Sequence, residues 1–253
     1  MPQDMFIHEY KKVKLDRAMV VVGFPSVGLV SSIASNFIVK QMKLQKIAAI
    51  LSDDFPPYSI VHDGEIVPPM RIYAGSRMCD DLGEKCEQLI VITSEFMPAP
   101  SLLRPLIDLI LDWCKRNDIN TVLSLEGMNV GDNPEQREIL AVATGERCKS
   151  MLSTYGLKEF NEGMVSGVSG VLLYEADRLN QDVICLLGPA RSDYPDARGA
   201  ARLLEQVAKM LPELKLDPDP LFKEAETIEK DMKSNLQAMR QSPKRADESL
   251  LYG

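Results

Sequence analysis

Residues 18–51 read AMVVVGFPSVGLVSSIASNFIVKQMKLQKIAAIL, and this stretch decides the fold class. Ala18 to Gly23 is an unbroken apolar run closed by glycine, the pattern of a strand buried on both faces, as parallel strands are. Behind it Val27, Val30, Ser31, Ala34, Phe37 and Ile38 recur at helical spacing up to Gln41, with Ser26 as the expected N-cap. Ile47 to Leu51 then reads as the second strand of a β-α-β unit. The class that follows is α/β, a mixed sheet flanked by helices.

Working outward, YSIV and EIV flank His62-Asp63-Gly64, a hairpin signal, and Arg71 to Gly75 extends the antiparallel part. Leu89 to Thr93 is another buried strand. A helix is expected from Ser101 to Asn117, with Pro105 in its first turn and Trp113 as a packing or partly exposed interface residue. Thr121 to Leu125 reads as a strand followed by the loop EGMNVGDNPEQ, and Ile139 to Thr144 fits strand or helix. Glu146 to Tyr155 is helical with Gly156 as its stop, and the turn GMVSGVSG leads into a helix ending near Leu179. Asp182 to Gly188 is a buried strand, and Asp196 begins a helix through Met210.

The pattern divides the chain into a domain over 1–216, an amphipathic helix over 217–242 and a flexible tail over 243–253. LKLDPDP is the expected linker, and Asp219-Pro220 supplies an N-cap and an N1 proline. Leu221, Ala225, Ile228, Met232, Leu236 and Met239 form a narrow apolar seam on that helix, able to pack on its own domain or on a partner. Pro243 ends it.

Composition removes several function classes. Across 253 residues, 29 Lys and Arg stand against 37 Asp and Glu, a net charge of −8, with no basic cluster of the kind phosphate binding requires. A nucleic-acid partner is not expected. No run approaches the ~18 apolar residues of a membrane span, and the charged N-terminus does not resemble a secretory signal, so the expected location is cytoplasmic. Cys79, Cys86, Cys114, Cys148 and Cys185 are odd in number and form neither a C-x-x-C pair nor a disulfide framework; they read as reduced thiols, mostly filling core. With only His8 and His62 present, metal and triad chemistry are starved, and neither a metal nor a cofactor is expected.

The chemical motifs are incomplete. Gly23 and Gly28 bracket a strand-to-helix loop, but Leu29 and Val30 follow where a phosphate-binding loop needs Lys and Ser or Thr. Ser169 in GVSGV misses the nucleophile-elbow spacing by one residue, and both histidines lie far from it in sequence. The carboxylates Asp53, Asp54, Asp80, Asp81, Glu126, Asp132, Asp193 and Asp196 read mainly as turn and capping groups. No catalytic constellation is expected, and Gly23, Ser26, Gly28 and Ser169 mark a possible small-ligand pocket at the strand ends. The informative feature is the chain end, Leu251-Tyr252-Gly253: a hydrophobic residue, a penultimate tyrosine and a terminal carboxylate that close the eleven-residue, otherwise mostly polar tail 243–253. Such a tether spans roughly 35 to 40 Å when extended, the build of a capture peptide.

Four segments carry a family resemblance: VVVGFPSVGLVSS at 20–32, PPMRIYAG at 68–75, GVSGVLL at 167–173 and YPDARGAARLL at 194–204. With them the chain resembles the archaeal proteasome-assembly-chaperone family, homologues of the second eukaryotic proteasome assembly chaperone. The resemblance implies a phosphorylase-like α/β fold, although no phosphorylase active site is found. It also implies an ATP-independent chaperone or adaptor that forms a homo-oligomer and docks on proteasome α subunits through a terminal hydrophobic-Tyr-any (HbYX) motif. In that motif Leu251 is the hydrophobic anchor, Tyr252 the aromatic and Gly253 the carboxylate donor, paired with a lysine between adjacent α subunits. Two alternatives stand beside it: a nucleoside-like small-molecule binder or enzyme of phosphorylase-like fold, and an adaptor that delivers substrates to the mature proteasome.

Overall fold

The computed structural model describes residues 5–15, 18–62, 64–76, 78–79, 86–119, 121–130 and 138–223. The run AMVVVG is strand β2 (Ala18–Gly23), buried at every position. It is sandwiched in parallel between β8 (Cys86–Ser94) and β9 (Thr121–Asn129), so it has no solvent face on which to place a polar residue. β12 (Asp182–Ala190) continues the parallel set beside β9, with Asp182 opposite Thr121 and Ala190 opposite Asn129. Antiparallel strands extend both sides of this centre. On one side lie β6 (Met70–Ala74), β3 (Gln45–Leu51) and β1 (Phe6–Glu9); on the other lies β10 (Leu140–Ala143), with β11 (Lys158–Glu159) parallel at the edge. The sheet order is β1-β3-β6-β8-β2-β9-β12-β10-β11, with β7 (Met78–Cys79) pairing β8 off this path.

Helices cover both faces. α1 (Val30–Gln41), α3 (Gly145–Thr154) and α5 (Ala197–Met210) pack on one face, where Val30, Ala34, Ile38, Leu152, Leu204 and Val207 meet Val21, Leu123 and Leu186. α2 (Pro100–Arg116) and α4 (Gly167–Leu179) cover the other, with Leu106, Ile110, Leu111, Val168 and Leu172 against Val20, Ile90 and Val122. Glu175 of α4, almost fully buried, ties the two helices together by accepting Arg178 Nη2 at 2.6 Å and Arg104 Nε at 3.1 Å.

The structure bears out some local expectations with refinement and corrects others. β3 runs in the direction of β2 but does not pair with it, because β6 and β8 are inserted between them; α1 is a crossover to a distant strand. Ser26 occupies the N-cap position of a short 3-10 turn (Val27–Leu29) and makes no side-chain cap, because Gly28 and Leu29 are both left-handed (φ 60° and 52°) and delay α1 to Val30. Pro105 sits in the second turn of α2, while Pro100 takes the N1 position. β9 runs on to Asn129 through part of the expected loop, and residues 140–143 are strand. Ser169 belongs to the first turn of α4, not to a preceding turn. His8 is held in a paired strand, and Trp113 is buried with Nε1 3.4 Å from Glu9 Oε1.

The segment read as a linker is packed: Leu214 and Leu216 are buried, and Leu221, inside a helical stretch at 219–223, joins the same core. The Asp-Gly hairpin forms as β4 (Ile60–His62) and β5 (Glu65–Val67), a two-stranded unit apart from the main sheet; Asp63 itself lies outside the described residues. So do the remainder of the C-terminal helix, the tail, Asp80, Asp81 and Asp132.

Candidate functional site

The carboxyl ends of β2, β8, β9 and β12 lie along one edge of the sheet. The chain leaves β2 toward β3 on one side and later crosses from β8 past β2 to β9 on the other, so β2 and β9 flank a topological switch point. In open α/β sheets that crevice is where ligands bind. Side chains alternate along β9, so Val122, Ser124 and Glu126 face α4 while Leu123 and Leu125 face α1. The first turn of α4 brings Ser169 over this row.

Four polar groups converge there. Ser169 Oγ donates to Glu126 Oε2 at 2.8 Å, and Ser124 Oγ lies 2.9 Å from Ser169 Oγ. The backbone N–H of Gly127 donates to Glu126 Oε1 at 3.0 Å. Ser26 Oγ is shielded from solvent without a partner of good hydrogen-bond geometry, yet its hydroxyl still favours the ionised carboxylate. Burial dominates these attractions and pushes the Glu126 carboxyl up from 4.5 to about 7, so it is half protonated near neutrality. Beneath the cluster Cys185 is held above its usual range, first by burial and then by the Glu126 charge.

This arrangement can accept or donate one proton at neutral pH and bond a hydroxyl or amino group. It lacks the imidazole that would activate Ser169: His8 lies in β1 at the sheet's outer edge and His62 in the separate hairpin. Of the sequence-predicted pocket residues, the structure unites Ser26 and Ser169 around Glu126. Gly23 and Gly28 serve the other face. A side chain at Gly23 would strike Ser35 of α1, and one at Gly28 would strike the Arg191 carbonyl, where Gly28 O also accepts from Asp196 N at 2.7 Å. The remaining described carboxylates behave as expected: Asp53 and Asp54 are exposed, Asp193 pairs with Arg191 at 3.0 Å, and Asp196 caps α5 by accepting from Gly199 N at 2.8 Å. Glu126 is the exception, and its signal was the S-x-E spacing inside an otherwise apolar strand, which places both polar groups on one face. Among the described residues no group of acidic, His and Cys side chains is arranged to hold a metal, and no helix is long and apolar enough to cross a membrane.

A sequence model of the PAC2 family matches residues 20–236. The chain belongs to the PAC2 family. Pyrococcus furiosus PbaA, an archaeal homologue of proteasome-assembly chaperone, is 30% identical, covers 95% of this chain and 94% of its own, and superposes with a TM-score of 0.81. Pyrococcus furiosus PbaB, an archaeal proteasome activator, superposes with a TM-score of 0.79 over 92% of this chain and 99% of its own; at 20% identity that likeness concerns the fold. The Methanocaldococcus jannaschii protein MJ0106 is 29% identical over 233 residues, 92% of this chain and 91% of that protein. The large mixed sheet flanked by helices is thus the fold of PAC2 members such as PbaA.

Proposed function

We propose that this PAC2 member is an ATP-independent proteasome-assembly chaperone or adaptor. It forms a homo-oligomer in the cytoplasm and docks on proteasome α subunits through Leu251, Tyr252 and Gly253. The observation that carries the reading is the 30% identity, over 95% of the chain, to a homologue of proteasome-assembly chaperone. In this reading Leu251 and Tyr252 are the anchors of a docking peptide that ends on the Gly253 carboxylate, and an amphipathic helix proposed over 217–242 presents it on a polar tether. One tripeptide binds weakly, so several copies on a symmetric oligomer are needed to raise effective concentration. A self-association surface is available on the β4–β5 hairpin, where the cross-strand partners Val61 and Ile66 are 69% and 73% exposed. An isolated two-stranded hairpin with an outward apolar pair gains stability by covering it.

The test is binding of the purified chain to a proteasome core particle and to free α subunits, with and without residues 251–253. Loss of binding with the tail supports docking, and preference for free α subunits supports assembly over substrate delivery to mature particles. A monomer whose binding ignores tail deletion refutes the proposal.

The Glu126 cluster favours a second reading, a small polar ligand with hydroxyl or amino groups at the switch point. Thermal-shift screening with nucleosides and related metabolites tests it: specific stabilisation abolished by both Ser169→Ala and Glu126→Gln supports it, and a flat screen removes it.

A further inference from the structure

Glu126 lies near the carboxyl ends of the parallel strands; at their amino ends is a cavity of about 700 Å³, within the size range of small-molecule sites. It opens where α1 has ended at Gln41, β3 begins at Gln45 and β6 ends at Ala74, beside the start of β8 and the short turn Pro212–Leu214. Its floor is the end of the hydrophobic core, since Leu44, Ile47, Leu89 and Leu214 line it and each is buried. The polar wall groups are engaged with the chain itself. Gln88 Nε2 donates to Gly75 O at 3.0 Å, and Gln41 Nε2 donates to Asp217 O at 3.0 Å. The interior therefore presents an apolar surface, and charge is left to the mouth.

That mouth is basic. Lys43 and Lys215 line it, Lys11 Nζ is held on Oε1 of a further lining residue, Gln45, at 3.1 Å, and among the described residues that line the cavity none is acidic. In a chain of net charge −8 this is a local reversal of sign. Lys43 and Lys215 are also the only lysines with a left-handed backbone among the described residues, at φ 50° and 49°. Glycine or asparagine is the ordinary occupant of such a position, and a lysine there holds a strained backbone. Complementing a helix C-terminus accounts for neither: α1 already carries Lys40 in its last turn, and Lys215 follows a three-residue turn with little dipole of its own. We propose that the cavity binds a single-tailed anionic amphiphile, whose apolar body of about eight to ten carbons lies on the leucine floor while its carboxylate meets Lys43 and Lys215 at the mouth.

The same geometry grades ligands. Each methylene that passes from water onto the floor tightens binding by roughly two- to fourfold. A carboxylate without a tail meets only ammonium groups in contact with water, which are worth little alone. A tail with an ammonium head sets like charge against Lys43 and Lys215. The site therefore selects the combination of tail and anion. One wall is formed by Leu214 and Lys215, and the chain just beyond is pinned by the bond from Gln41 to Asp217. An occupied cavity braces that segment.

The experiment titrates the full-length chain at pH 7 with octanoate, decanoate, decylammonium and acetate by isothermal calorimetry. The expected result is saturable one-to-one binding of decanoate with a Kd of about 0.1 mM, octanoate about tenfold weaker, and no saturable heat from decylammonium or acetate. Replacing Lys43→Gly and Lys215→Gly together should weaken decanoate about tenfold while the variant melts no lower than wild type, because glycine suits both left-handed positions. Ser76→Trp, at an exposed lining position, should block the mouth and abolish binding, whereas Lys158→Gln, which removes one positive charge at the far edge strand β11, should leave it unchanged. Decanoate should also slow amide hydrogen exchange over residues 212–217. Decylammonium binding as tightly as decanoate, wild-type affinity in the folded double-glycine or Ser76→Trp variant, exchange protection elsewhere but not at 212–217, or no saturable decanoate heat would each overturn the assignment. These readouts do not involve the proteasome, so they stand or fall apart from the docking reading.

Discussion

Serines are buried on both faces of the central strands, and the two faces use them differently. Under α1, Ser31 donates to the Leu125 carbonyl, while Ser35 donates to Ser32 O at 3.1 Å and lies 3.3 Å from Thr93 Oγ1. Every partner there is neutral, so the arrangement satisfies polar groups where small side chains let helix and sheet approach closely. Under α4, Ser124 and Ser169 form a similar pair, but their chain of hydrogen bonds ends on the Glu126 carboxylate. The difference is one ionisable group, and it turns a packing device into a site that responds to pH.

The packing side of this comparison breaks most severely at Gly23. Its missing Cβ is what lets α1 settle on β2, since an added one would overlap Ser35 and crowd the Ser31 carbonyl. Gly23→Val must displace the helix from the sheet, and the expected loss is about 3 to 4 kcal/mol, measured by urea denaturation at pH 7. A change below ~1 kcal/mol would mean that α1 is not seated as closely as its serines indicate.

The α4 side is tested next by Glu126→Gln, with a smaller and opposite effect. The native state holds the Glu126 proton more tightly than the unfolded chain, with the carboxyl raised from 4.5 to about 7. Folding stability therefore falls as pH rises through this window, by up to ~3 kcal/mol, and is lowest once the carboxylate is fully ionised. Glutamine stays neutral, accepts from Gly127 N through its carbonyl and donates to Ser169 through its amide. The variant should match wild type near pH 4 and exceed it by up to ~3 kcal/mol at pH 8. Parallel stability profiles for the two proteins between pH 4 and 8 would show that Glu126 is not the titrating group.

How legible this was in the sequence follows from the same residues. The buried strand Ala18–Gly23 and the apolar stripe of α1 were plain, because periodicity reports burial directly. Asp196 was recognisable as a cap, because local chain geometry alone brings its carboxylate to Gly199 N. The position of β3 was not legible: β-α-β periodicity gives strand direction, but not that β6 and β8 will be inserted from later in the chain. Ser26 and Ser169 were visible as candidates, whereas their meeting at Glu126 depends on contacts 100 and 43 residues apart in sequence, which spacing cannot encode.

The sharpest use of the comparison is its smallest effect, a matched pair of serine truncations. Ser35→Ala removes the hydroxyl that meets Ser32 O and Thr93, none of which titrates between pH 5 and 8. Its cost should be about 1 kcal/mol and independent of pH over that range. Ser169→Ala removes the donor to Glu126 Oε2 and the partner of Ser124 Oγ together. At pH 5 the carboxyl is protonated, and the cost should again be about 1 kcal/mol, set by the neutral bonds. At pH 8 the lost bond is to a charged acceptor, so the cost should rise to about 2 kcal/mol. Losing a donor to the ionised form also moves the carboxyl further up, so the pH midpoint of the stability profile shifts toward alkaline. Urea denaturation of both variants at pH 5 and pH 8 reads the comparison directly. If Ser169→Ala is as flat with pH as Ser35→Ala, the two serine clusters are equivalent packing devices and the crevice at the switch point loses its claim to chemistry.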